Sequence, residues 1–218
     1  MEPGAAPAGV IGAAHAGAPV DTTPLSEIYP IPRAVRAYGW AVDPLTLHPG
    51  DLILVSSKKP GLIARQIRAH QAKLFNDEHA RWEHAAVSGG RIEICEAELG
   101  GVRATEYWGY MTGEYDIKVR RLKNADIAER TLLAYYSATS VKTRYGYANI
   151  LAIAKIFNGA EAWGARSYSR GVICSQLYFE ACQRAGFLIS KHRAETVSPA
   201  HLSFSPQLED VPLAWVKV

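Results

Sequence analysis

The sequence predicts an α+β fold, an antiparallel sheet packed against helices, on three observations. Strand-like runs cluster in mid-chain, helical patterns lie on either side of them, and the two do not alternate as a parallel sheet requires. With 218 residues, 48% hydrophobic and 21% charged, the chain can bury a substantial core. One domain over residues 25–218 is expected.

The first twenty residues, "MEPGAAPAGVIGAAHAGAPV", lack the basic start and unbroken apolar core of a signal peptide, and residues 1–24 are expected to be a flexible Ala/Gly/Pro tail. "LSEIYPIPRAVRAYGWAVDPLTLHPG" carries four prolines and is expected to wrap the domain as irregular structure. Ordered structure is expected from about residue 50, where "PGDLILVSS" gives a turn and a buried strand over Leu52 to Val55. In "KKPGLIARQIRAHQAKLF", Leu62, Ile63, Ile67 and Leu74 recur at helical spacing. The expectation is a surface helix with that stripe inward and Lys58, Lys59, Arg65, Arg68 and Lys73 solvated, contact with an acidic membrane or polymer being the lesser alternative.

"HAAVSGGRIEICEAE" places two β-rich runs around Ser-Gly-Gly, a hairpin signal. "YDIKVRRL" reads as a further strand, and Asn124 as the cap of a helix carrying Ile127, Leu132, Leu133 and Tyr136. A second helix is expected from Tyr147 to Phe157, then a loop with Gly159 and Gly164, then the helix of "ICSQLYFEACQRAGF". The terminal "VPLAWVKV" alternates like a last strand.

Net charge +3 and a pI near 8.7 are too mild for a dedicated nucleic-acid binder. No run approaches the length of a membrane span, and three cysteines without metal-site spacing suit a reducing compartment, so a cytoplasmic protein is expected. In "HARWEH" the histidines His79 and His84 are too far apart to share a helix face, and no metal or cofactor is expected.

Cys174 stands where the helical pattern of its segment begins. There the macrodipole and unpaired N–H groups favour a thiolate and can hold an oxyanion. Free cysteine is also among the most buried residue types, so position alone favours a packed thiol. Cys182 is read as core and Cys95 as a strand residue. A nucleophilic thiol needs a base. Of seven histidines, His84 opens a strand between small neighbours, Ala85 and Ala86. The residue that orients it should lie across the hairpin. A two-residue Gly89-Gly90 loop pairs His84 with Cys95, and a three-residue loop over Gly89 to Arg91 pairs it with Glu96. The residues alone leave both registers open, with Glu93 and Glu98 as competing carboxylates.

Taken in order, "PGDLILV", "WEHAAVSGGRIEICEAELGGV", "YGYANILAIA", "ICSQLYFEACQRAGF" and "TVSPAHL" resemble the circularly permuted NlpC-type papain-like enzymes, over roughly residues 48 to 202. The resemblance implies a small, barrel-like antiparallel sheet with the nucleophile helix packed against it. It implies Cys174 as nucleophile, His84 as base and Glu96 as the orienting residue, and so favours the second register. Tyr145, Tyr147 and Ser175 become candidate substrate-binding residues. The implied activity is a cysteine hydrolase or peptidase on an amide, acting on a small peptide-like or N-acyl substrate. The lecithin retinol acyltransferase branch shares the permuted order, which makes a lipid ester, a thioester or acyl transfer the alternative. A binding module with an inert Cys174 is the third. Oligomeric state is not specified.

Overall fold

Leu52 to Val55 form the strand on which the rest is built, because a continuous apolar run can be buried on both faces only at the centre of a sheet. The structure is a computed structural model and describes residues 24–98, 100–142 and 173–218. Its helices in chain order are α1 (Leu25–Ile28), α2 (Arg33–Tyr38), α3 (Leu62–Gln71), α4 (Asp77–Ala80), α5 (Ile127–Ala138), α6 (Cys174–Arg184) and α7 (Pro199–Phe204). The strands are β1 (Trp40–Val42), β2 (Leu52–Ser57), β3 (His84–Gly90), β4 (Glu93–Glu98), β5 (Gly101–Glu106), β6 (Tyr115–Leu122), β7 (Leu208–Val211) and β8 (Trp215–Lys217).

Six of the strands make one antiparallel sheet in the order β5-β4-β3-β2-β6-β7, and β1 pairs with β8 in a separate two-stranded ribbon. The expected mixed class with an antiparallel sheet is therefore present. Among the described residues the sheet ends at β5 and β7 rather than closing on itself.

Strand alternation divides the interior in two. Leu52, Leu54, Ala85, Val87, Cys95, Ala97 and Val102 join Leu177, Tyr178, Ala181 and Cys182 of α6 in one cluster. Ile53, Val55, Ala86, Ile94 and Val119 join Ile31, Val35, Val42, Tyr107, Trp108 and Met111 in the other. The second cluster corrects the expectation for residues 25–49. Prolines 30, 32 and 44 do not leave that segment irregular. Pro32 and Pro44 open short helical turns, and the segment also supplies β1 and buries Ile31, Val35, Ala41, Val42 and Leu47.

Helix α3 forms at the predicted place, and Lys58, Lys59, Arg65 and Lys73 are exposed as expected, but most of the apolar stripe does not turn inward. Leu62, Ile63 and Leu74 are exposed, whereas Gln71 is buried. The reason is hydrogen bonding. The Gln71 amide donates to Ala80 O (2.9 Å) and Trp82 O (2.7 Å) and accepts from Ala200 N (2.9 Å). Arg68 donates to Ser57 O at 2.5 Å and to the Glu83 carboxylate at 2.8 Å. Unpaired backbone groups at a strand end are costly to bury, and these two polar side chains dock the helix by satisfying them. Helix α5 also starts later than expected: Asn124 is left-handed (φ 57°), and Asp126 forms a reciprocal capping box with Glu129. The expected helix over Tyr147 to Phe157 and the loop with Gly159 and Gly164 lie outside the described residues.

Candidate active site

The β3–β4 hairpin positions the first two candidate residues, with a register that differs from both expected ones. Ala86 pairs with Glu96 and Val87 with Cys95, and Gly90 pairs with Glu93, with a bulge between Ser88 and Gly90. The tip is Arg91-Ile92, not the glycine pair. Gly90 (φ 100°) is used inside the bulge, where an added Cβ would lie 3.1 Å from the Pro49 ring, and Arg91 (φ 55°) takes the left-handed tip position. Glu96 therefore faces Ala86 directly and His84 on the diagonal, both on one face of the sheet. A glutamate is long enough for that reach.

The contact is made. His84 Nε2 and Glu96 Oε2 are 2.8 Å apart. Glu96 is 1% exposed, and its other oxygen accepts from Arg103 Nε (3.2 Å) and Nη2 (2.9 Å). Arg103 stands directly opposite Glu96 on β5. The Tyr110 hydroxyl donates to Oε2 at 2.5 Å. Burial alone would raise the Glu96 pKa, but the hydrogen bonds and charge of His84, with the bonds from Tyr110 and Arg103, lower it to about 2. An ionised carboxylate can only accept, so the proton on Nε2 belongs to His84. Nδ1 is left for the other partner.

That partner is Cys174, the first residue of α6, whose side chain acts on the His84 ring as the largest influence raising its pKa. Burial opposes a charged His84 ring, but Cys174 and then Glu96 raise its pKa to about 10. The cap residue Ile173 makes no side-chain hydrogen bond, so the cap itself leaves the first-turn N–H groups of α6 untaken. The start of α6 is fixed by Ser175, which is fully buried and donates from Oγ to Val197 O at 2.7 Å. Ser175 thus anchors the helix instead of turning its hydroxyl toward a ligand. Tyr145 and Tyr147 lie outside the described residues.

The other thiols are placed differently. Burial, then the Glu96 charge, pushes Cys95 up to about 11, and its Sγ lies 3.3 Å from Ser137 O. Cys182 is fully buried, and burial raises its pKa strongly. Glu93 is exposed. Glu98 bonds to Arg103 at 2.8 Å.

His84, Glu96 and Glu98 bring one potential metal-ligand atom each within 4.8 Å of one another. Arg103 already bridges the two carboxylates, so a cation there would have to displace a guanidinium. His79 turns elsewhere, to Ser203 Oγ at 2.9 Å and the Phe204 ring.

Arg103 and Tyr110 were not legible as site residues. The pattern of β5 is weak in the sequence, since "GVRATE" alternates only loosely, although a cross-strand Glu-Arg pair is a common sheet device. Tyr110 follows β5 in a 3-10 turn, and nothing local marks it. A scan against protein-family profiles finds no match for the chain, and neither does a search of curated proteins. Among the described residues, no helix is long and apolar enough to cross a membrane.

Proposed function

We propose that the chain is a cysteine hydrolase of the permuted papain-like type, cleaving an amide through Cys174 with His84 as base and Glu96 as the residue that orients it. The observation that carries this reading is the 2.8 Å contact of His84 Nε2 with Glu96, on a ring whose pKa is raised chiefly by Cys174 at a helix start. The chain order His84, Glu96, Cys174 is that of the permuted branch.

In the first step His84 Nδ1 takes the thiol proton and the sulfur bonds to the substrate carbonyl carbon. Charge moves to the carbonyl oxygen, where N–H groups at the start of α6 are the available donors. Collapse breaks the C–N bond, and His84 gives its proton to the leaving amine. Water, deprotonated by His84, then attacks the thioester, returning the thiol and releasing a carboxylic acid. The raised pKa of His84 favours the imidazolium form that pairs with the thiolate and supplies the proton to the leaving amine. Its electrostatic partner Glu96 stays ionised throughout.

Matched amide and ester substrates with the same acyl group provide the test. Hydrolysis of the amide, lost in Cys174→Ala, is the expected result. Turnover confined to lipid esters, with the amide untouched, overturns the amide reading in favour of acyl-ester chemistry.

A further inference from the structure

We propose that Tyr110 is a positioning residue of this site, its hydroxyl and the Arg103 guanidinium together pinning the Glu96 carboxylate in the orientation that holds His84 toward Cys174. The inference rests on the hydrolase reading for its functional consequence, but its structural basis is separate.

A buried carboxylate must have its oxygens satisfied or it will not remain charged. Each Glu96 oxygen has two donor contacts: Nε and Nη2 of Arg103 on Oε1, and His84 and Tyr110 on Oε2. Rotation of the carboxylate would disturb all four contacts. The two supports differ in kind. The Arg103 side chain is 55% exposed and shared with Glu98, so water can replace part of its contribution. Tyr110 comes from a fixed turn, Tyr107–Tyr110, whose Tyr107 hydroxyl donates to Val42 O at 2.7 Å and whose neighbours Trp108 and Met111 are buried. Its ring lies 5.9 Å from that of His84 and meets Tyr115 edge-on at 5.4 Å. Burial, then the Glu96 charge, raises the Tyr110 pKa far above that of a free phenol, so the hydroxyl remains a donor at any working pH. Acting through Glu96, it does not itself touch the reacting atoms.

The test uses the full chain with Tyr110→Phe, which keeps the ring and removes the donor. Three quantities are read: the 13C titration of the Glu96 carboxyl, kcat and KM on an amide substrate, and the thermal midpoint. Losing one charge-assisted bond should raise the Glu96 titration by about one pH unit. It should also lower kcat by about tenfold with little change in KM. In a Glu96→Gln background the same substitution should have no further effect on kcat. An unmoved Glu96 titration, or an equal loss of kcat in both backgrounds, overturns the proposal. If Tyr110→Phe lowers the thermal midpoint so far that it cannot be assayed, Arg103→Gln tests the same clamp and should move the Glu96 titration the same way. If the unsubstituted chain hydrolyses no amide, the hydrolase reading fails instead, and the Glu96 titration still decides whether Tyr110 holds the carboxylate.

Discussion

Glu96 meets His84 diagonally across the hairpin: its backbone pairs with Ala86, yet its Oε2 lies 2.8 Å from the imidazole Nε2. A glutamate is needed for that reach, since an aspartate, one methylene shorter, would fall short of the ring. Glu96→Asp is therefore expected to behave like a loss of the orienting group, with kcat/KM down on the order of 10²-fold. Glu96→Gln, which keeps the length and an acceptor oxygen, is expected to retain more activity than Glu96→Asp. Steady-state kinetics on one amide substrate rank the two variants, and the reverse order would contradict the diagonal geometry as the source of the effect.

This diagonal also marks the limit of what the sequence disclosed. Local pattern identified the hairpin, strands β2, β3, β4 and β6, and the helix that starts at Cys174. Register depends on whether the two glycines form the tip or a bulge, and the close approach of Pro49 to Gly90, from another segment, is not visible in the local pattern. Helix α3 shows the same dependence. Its period was legible, but its inward face was set by Gln71 and Arg68 finding backbone partners in three other segments. Period is a local property, whereas the choice of face is a tertiary one.

Acid should loosen the segment that anchors α6. His201 occupies the third position of α7, where its Nδ1 accepts from Ser198 N at 3.2 Å and completes a capping box. Burial, then the charges of His192 and His70, lowers its pKa to about 4. Between the ordinary value of 6.5 and about 4, the unfolded chain holds a proton that the folded chain excludes. Stability is therefore expected to fall as pH drops through that window, by roughly 2–3 kcal/mol. His48, His70 and His79 are shifted in the same direction. His201→Gln keeps the reciprocal cap without titrating, so urea midpoints should show it more stable than the parent at pH 5 and similar at pH 7. Parallel pH curves for the two proteins would contradict this.

Arg120 closes the other end of the sheet. Its guanidinium donates to Leu202 O (3.1 Å), Ser203 O (2.6 Å), Ser205 O (3.0 Å) and Leu208 O (2.5 Å), and pairs with Asp210 at 2.9 Å. Lysine has one nitrogen for these acceptors and cannot reproduce the fork. Arg120→Lys is expected to cost about 3–5 kcal/mol, because buried carbonyls lose their donors. Denaturant unfolding checks this, and a cost under about 1 kcal/mol, the range of an exposed pair, would show that the carbonyls find other partners.

The most direct measurement is alkylation of the three cysteines by iodoacetamide at pH 6.5, resolved by peptide mass, in the parent chain and in His84→Ala. Cys95 and Cys182 serve as internal references, since burial raises the pKa of each. Cys174 should react faster than a small-molecule thiol, and faster than either reference. His84→Ala should slow it by about tenfold or more, because the proposed partner of the thiol is gone. Reaction at Cys174 no faster than the small-molecule thiol, and indifferent to His84→Ala, would contradict the proposed role of Cys174 as an activated nucleophile.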